Sequence, residues 1–215
     1  MAAEVGLRER KKQRTRQLLA DTARRLFGER GFENVSVAEI ARVAEVSPAT
    51  VFNYFPTKED LVYSGLEAFE EELLTAIRER PRGQTVVDAF RDFVLTPRGF
   101  LAAKDEATAR ELIAVTRMIS ASPALLAREQ QIFAQFTDAL AELIAEETGA
   151  SAGDPRPYVV ANALIGVHRA LIGYVRQRLN ADTPTRGRLA REVRERGARA
   201  FALLSDGLGD YAAKR

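Results

Sequence analysis

No cysteine occurs in this chain of 215 residues, and histidine occurs once. Without cysteine there is no disulfide framework and no thiolate metal site. That fits a reducing cytoplasm, which is the expected location. One histidine and no cysteine leave little material for metal ligation or for a histidine-activated nucleophile. No Gly-rich phosphate loop and no nucleophile elbow is present either. An enzyme is therefore disfavoured, and neither metal nor cofactor is expected. No apolar run approaches about 18 residues, so no membrane span is expected. The N-terminus, MAAEVGLRERKKQRTR, has no apolar stretch behind its charges and does not read as a secretory signal. No segment alternates with the period of a strand, and no internal repeat is found.

What is present is ordinary globular material, 46% hydrophobic and 29% charged. The net charge is only +2, but it is unevenly placed. Residues 1–56 hold 10 Lys and Arg against 7 Asp and Glu; residues 57–215 hold 22 against 23. The excess gathers in Arg8, Arg10, Lys11, Lys12, Arg14 and Arg16. Beside a nucleic-acid-binding motif, such an asymmetry is an electrostatic footprint.

The motif lies in Ser36 to Lys58, SVAEIARVAEVSPATVFNYFPTK. Ser36 with Glu39 reads as a capping box, and Val35 with Ile40 as its hydrophobic staple. Ser47 is a second N-cap with Pro48 in the first helical position, and Val46 and Val51 form the next staple. Thr57 with Asp60 marks a third start. The helix from Pro48 to about Phe55 is too short to stand alone, since isolated helices under about 12 residues are marginal. Val51 and Phe55 pin it, leaving Ala49, Thr50, Asn53 and Tyr54 outward. A pinned short helix with small and hydrogen-bonding residues outward suits the recognition helix of a helix-turn-helix.

Residues 8–61 resemble the DNA-binding domain of the tetracycline-repressor (TetR) family. The likeness is carried by Ala23-Arg24-Arg25-Leu26-Phe27, Gly31-Phe32, Val37-Ala38-Glu39-Ile40-Ala41, Val46-Ser47, Thr50-Val51-Phe52-Asn53-Tyr54-Phe55-Pro56 and Lys58-Glu59-Asp60-Leu61. The resemblance implies an all-α fold. Its parts are an N-terminal three-helix DNA-binding domain, residues 1–56, and a C-terminal helical effector-binding and dimerisation domain, residues 57–215. About nine helices are expected. The implied partners are a double-stranded palindromic operator, a second copy of the chain and a small-molecule effector.

On the DNA face, Asn53 is the candidate for a base edge, because its amide can pair bidentately with adenine. Pro48 and Ala49 can touch a thymine methyl. Thr50, Tyr54 and Lys58 can reach phosphates, as can Ser36 and Ser47 beside helix N-termini. Ala38 and Arg42 join them by resemblance alone. Two positions depart from the family pattern: Phe52 where tyrosine is common, and Glu45 where the turn usually has glycine.

Further along, a helix is expected from Thr57 through Leu61, Leu66, Phe69, Leu73 and Ile77 to about Arg80. Others follow over 84–96, 106–120, Pro123 to Thr148, 157–179 and from Thr183-Pro184 onward. Glu70-Glu71-Glu72 reads as a solvated face, because consecutive helical residues point about 100° apart. Phe69, Phe90, Phe93, Phe100, Met118, Phe133 and Phe136 are candidates for an apolar effector pocket, with Asn162 and His168 as its polar members. The stretch 123–179 is also loosely similar to TetR-type regulators of acyl-CoA or other lipid-like molecules. Ala163, Gly166, Ala170 and Gly173 form a small-residue face on one long helix. With Leu189, Val193, Ala200 and Leu204 on the next, they make the candidate dimer surface. The leading expectation is a homodimeric repressor released by a hydrophobic effector. A constitutive DNA-binding protein is the alternative, and a helical enzyme a distant third.

Overall fold

The computed structural model describes residues 2–182 and 184–208; Thr183 and the side chain of Arg8 lie outside them. Among the described residues there are nine α-helices and no strand, the all-α architecture expected. They are α1 (Ala2–Arg30), α2 (Val37–Val43), α3 (Pro48–Tyr54), α4 (Leu66–Arg78), α5 (Val86–Leu95), α6 (Glu106–Ala121), α7 (Pro123–Thr148), α8 (Arg156–Ala181) and α9 (Arg186–Leu208). Short 3₁₀ turns occupy Glu59–Leu61 and Gly99–Ala102. The chain forms two compact units. The first holds the residues up to Leu66 together with Met118–Arg128; the second holds Glu67–Arg117 and the chain from Glu129 onward.

In the first unit, α1 ends where Gly31 turns left-handed at φ 81° and donates its N–H to the Phe27 carbonyl. Leu19, Ala23, Leu26 and Phe27 of α1 are buried with Phe32, Val35, Ile40, Ala41, Val51, Phe55 and Leu61. The Phe27 and Phe32 rings meet at 5.1 Å. The neighbouring Leu18 is half exposed, and Val46, expected as a staple residue, is only partly buried. Polar contacts fasten Met118–Arg128 to this unit. The Tyr63 hydroxyl donates to the Leu125 carbonyl at 2.9 Å, Arg128 pairs with Asp60 at 2.7 Å, and Ser122 donates to Glu33 at 2.8 Å.

The helix expected from Thr57 to Arg80 is interrupted. Thr57 and Asp60 do form their reciprocal box, at 2.9 and 3.3 Å. It launches only one 3₁₀ turn, and regular helix resumes at Leu66. The apolar period continues through this stretch, but Tyr63 is committed to Leu125 and Gly65 lowers the helix propensity there.

In the second unit, α9 packs against both α5 and α8. Phe90 of α5 and Phe201 of α9 are fully buried, ring to ring at 6.1 Å. Gly197 makes room for α5: a Cβ there would lie 2.3 Å from a Leu95 methyl. A second core gathers Phe100, Leu171, Leu179, Leu189 and Val193. The buried Arg80 donates to the Ile77 carbonyl at 2.7 Å and pairs with Glu147 at 2.7 Å, closing the C-terminus of α4 and tying it to α7. The Tyr174 hydroxyl and Arg178 of α8 both bind Glu192 of α9.

By length and composition α8 could cross a membrane, which the sequence reading did not foresee. Val160, Ala161, Leu164, Ile165, Leu171 and Leu179 of this helix are nevertheless buried within the chain itself.

Candidate nucleic-acid interface

Ser36 caps α2 by accepting the Glu39 N–H at 3.2 Å. The Glu39 carboxylate turns to Arg30, so that helix start is also tied to the end of α1. Ser47 caps α3, accepting the Thr50 N–H at 3.1 Å and meeting the Thr50 hydroxyl at 2.8 Å. Between the helices, Glu45 takes φ 56°, the left-handed conformation that a turn of this length demands. That is where the family pattern has glycine.

Val51 and Phe55 are buried at 1% exposure each, which fixes the rotation of α3 about its axis. Ser36, Ala38, Arg42, Ser47, Pro48, Ala49 and Asn53 are all exposed, while Thr50 and Tyr54 are partly so. A continuous outward face of small and hydrogen-bonding residues results. Phe52 adds an apolar ring to it, 49% exposed.

Two cations behave differently from the rest. Arg16 is half-buried and donates to the Tyr54 carbonyl at 2.8 Å, with its guanidinium over the Phe55 ring. Sequence reasoning placed it in a basic run without this role; its helical spacing toward the α1 core was the available signal. Lys58 was expected to reach phosphate. Its ammonium lies 4.1 Å from the Phe32 centroid, so part of its charge is spent on a ring within the unit. Arg10, Lys11, Lys12 and Arg14 remain exposed on α1.

These caps and faces coincide with a family match. Residues 19–63 fit the model for bacterial regulatory proteins of the tetR family, and residues 84–208, more than half the chain, fit the MftR C-terminal domain. The chain belongs to the TetR family. It is a DNA-binding transcriptional regulator. It is 33% identical to the HTH-type transcriptional regulator TcmR of Streptomyces glaucescens, over 77% of this chain and 75% of TcmR. MftR of Mycobacterium tuberculosis is 27% identical over 74% of this chain and 78% of its own. Among solved structures, NalD, the secondary repressor of the MexAB-OprM multidrug efflux pump in Pseudomonas aeruginosa, shares the fold. It has a TM-score of 0.54 at 20% identity, covering 87% of this chain and 97% of that one. Salmonella enterica GusR also matches, with a TM-score of 0.52 at 20% identity over 91% and 95% of the two chains. As a member of this family the chain is a regulator and not an enzyme, as expected.

In the second unit of this TetR-family chain, five of the candidate pocket residues come together. Phe69 contacts Phe93 at 5.4 Å, Phe136 at 6.2 Å and the His168 ring at 5.4 Å, nearly parallel to the last. Phe133 meets Phe136 and His168 edge-on. Arg98, not among the candidates, lies 4.0 Å from the Phe93 centroid and pairs with Glu72 at 2.9 Å. No sequence signal marked it. Burial pushes the His168 imidazole down to about 4, with the Arg98 charge adding to the effect. Four other candidates stand apart. Phe90 belongs with Phe201, Phe100 lies in the Leu171–Leu189 core, Met118 is in the first unit, and Asn162 is exposed.

On the candidate dimer stripe, Gly166, Ala170 and Gly173 are exposed and Ala163 partly so. A groove of about 370 Å³ runs beside them, also bordered by Glu129, Phe133, Arg169 and Arg176. Leu189 and Val193 do not join this surface. They are 0% and 8% exposed because the stripe they form turns toward the chain's own core. Ala200 and Leu204 are partly exposed, and the neighbouring Leu203 is 78% exposed.

Proposed function

We propose that this regulator works as a homodimeric repressor that leaves a palindromic operator when a small hydrophobic effector binds its C-terminal region. The carrying observation is the outward face of α3, held by buried Val51 and Phe55 and ending in exposed Asn53. Residues 1–56 serve as the DNA-binding module and 57–215 as the effector and dimerisation region. A symmetric pair reads two half-sites when its recognition helices lie about 34 Å apart. An effector acts only if it prefers a conformation with another separation.

Dimerisation is supported by Gly166 and Gly173. Glycine inside a helix costs about 1 kcal/mol against alanine. At both positions an added Cβ would meet nothing within 4 Å in the single chain. Their smallness serves no packing within one subunit, and close approach of a second copy supplies the reason. The exposed Val159 of α8 and Leu203 of α9 add apolar surface. For the effector, the ring cluster around Phe69 and His168 supports an apolar molecule; acyl-CoA and other lipid-like compounds are candidates. The proposed location is the cytoplasm.

Selection of bound sequences from a random DNA pool tests this reading. Recovery of a two-fold symmetric site with steep salt dependence is expected. Recovery of asymmetric or unrelated sequences rejects it. Affinity for the recovered site, with and without candidate effectors, separates a ligand-released repressor from a constitutive one.

A further inference from the structure

Among the described residues, two buried side-chain nitrogens have no hydrogen-bond partner: Nε of Arg98 and Nδ1 of His168. They belong to the same cluster. The His168 ring stacks on Phe69 at 5.4 Å, and the Arg98 guanidinium carbon lies 5.7 Å from the centroid of that same ring. A sealed polar atom left unpaired costs about 1–3 kcal/mol, so native interiors hold few of them. Two beside one phenylalanine mark a place where something is meant to bind.

The chemistry of the missing group follows from the donors. The arginine Nε–H can only donate, so an acceptor is required. A histidine nitrogen can also donate, in the right tautomer or when protonated. Arg98 already holds Glu72 through Nη1, but that pair is solvent-accessible on both sides and weak in consequence. Arg169 lies 5.9 Å from the Phe133 centroid and adds a second cation to the same cluster. Phe69 and Phe93 are only partly buried, so part of each ring remains accessible, and a flat aromatic partner gains there beyond simple burial.

We propose that the effector is a small planar aromatic carboxylic acid, its ring system lying against the accessible sides of Phe69 and Phe93 and its carboxylate accepting hydrogen bonds from Arg98 Nε and His168 Nδ1. This rests on the reading that the C-terminal region binds an effector, and it narrows that effector from any apolar molecule to an aromatic anion.

The test uses the full-length chain and three probes of one shape: 2-naphthoate, its methyl ester and 2-naphthylmethanol. Calorimetry should show 2-naphthoate binding at least about tenfold tighter than either neutral probe, a difference of about 1.4 kcal/mol. The chain has one histidine, so its imidazole resonances are assigned without ambiguity. A carboxylate beside His168 favours its charged form, so its titration should move upward from about 4 with naphthoate and stay in place with the neutral probes. Arg98→Gln and Arg98→Lys should both abolish the preference for naphthoate while leaving the oligomeric mass unchanged. Equal binding of all three probes, or no binding and no histidine shift, overturns the proposal. Naphthoate that binds and shifts His168 but leaves operator affinity untouched upholds the site and rejects effector release. A different compound that releases DNA without moving the histidine signal does the reverse.

Discussion

Arg16, near the middle of α1, donates a 2.8 Å hydrogen bond to the carbonyl oxygen of Tyr54, the last residue of α3. That carbonyl belongs to the last turn of α3, where backbone acceptors lack partners within the helix, and a cation there also meets the negative end of the helix dipole. The guanidinium rests 4.5 Å from the Phe55 ring centroid, so the contact is part apolar as well. A seven-residue recognition helix is thus clamped at both ends, by Ser47 at its start and Arg16 at its finish. Arg16→Ala should lower stability by about 2 kcal/mol, the scale of a hydrogen bond to a charged group. It should weaken binding to all DNA sequences alike, because it frees the helix and touches no base. Urea unfolding and DNA titration check both. Unchanged DNA affinity in a measurably destabilised variant would contradict the clamp.

Glu45 stands left-handed at φ 56° in the turn between α2 and α3. For a residue with a side chain this costs about 1–2 kcal/mol, from which glycine is exempt. Glu45→Gly should therefore stabilise the chain by about 1 kcal/mol, net of the extra freedom glycine has when unfolded. It also removes a negative charge near the DNA face, so affinity should rise most at low salt. A stability unchanged or lowered by the substitution would show that Glu45 makes an offsetting contact.

On the outward face, Asn53→Ala should cost about 1–3 kcal/mol at one base pair of the operator and little elsewhere. Lys58→Ala should behave differently from a plain phosphate contact. Its ammonium is 4.1 Å from the Phe32 centroid, so part of its effect should appear as about 0.5–1 kcal/mol of lost stability. Binding measured on operator variants, beside unfolding of the free protein, separates the two. Equal losses on every DNA from both substitutions would remove Asn53 from base reading.

Why the helix-turn-helix could be read from the sequence in detail, while the ring cluster could only be named among other candidates, is a matter of range. Ser36–Glu39, Ser47–Thr50 and Thr57–Asp60 interact across three residues, so their chemistry is written locally. Phe69, Phe93, Phe133 and His168 come from four helices, and periodicity says which residues face inward without saying what they face. Phe90 and Phe100 look the same in sequence, yet one packs on Phe201 and the other in the Leu189 core. Leu189 and Val193 show the same limit, since a correct stripe pointed at the chain's own interior. Arg98 carried no pattern at all; only its unpaired Nε in the folded chain reveals it.

His168 gives a pH dependence whose sign is fixed by its burial. An unfolded histidine titrates near 6.5, and here the folded value falls to about 4. Below about 6.5 the unfolded chain takes up a proton that the folded chain refuses, so stability declines as pH drops. The decline ends near 4, where the folded form protonates too. The full loss is on the order of 2 kcal/mol after allowing for partial solvent access. His168→Phe should flatten this part of the stability–pH curve, as followed by urea unfolding between pH 7 and 4. A wild-type curve already flat across that window would mean the imidazole is solvated.

The glycines of the two C-terminal helices separate packing within the chain from packing between copies. Gly197 of α9 is needed inside: a Cβ there would approach a Leu95 methyl to 2.3 Å and crowd α5. Gly197→Ala should destabilise the single chain, by about 1–3 kcal/mol as overpacked sites do. Gly166 and Gly173 of α8 have open space around them, so one subunit should accept alanine there and gain helix propensity of about 1 kcal/mol. In a dimer closed along that face the same positions have no room. Gly166→Leu should therefore fold well as a monomer, with light-scattering mass halved and affinity for a two-fold symmetric operator reduced. Gly197→Ala should unfold more readily while keeping whatever oligomeric state survives. A Gly166→Leu variant that stays dimeric and binds DNA as tightly as the parent would place the subunit contact elsewhere, and would leave the two exposed glycines without a structural reason.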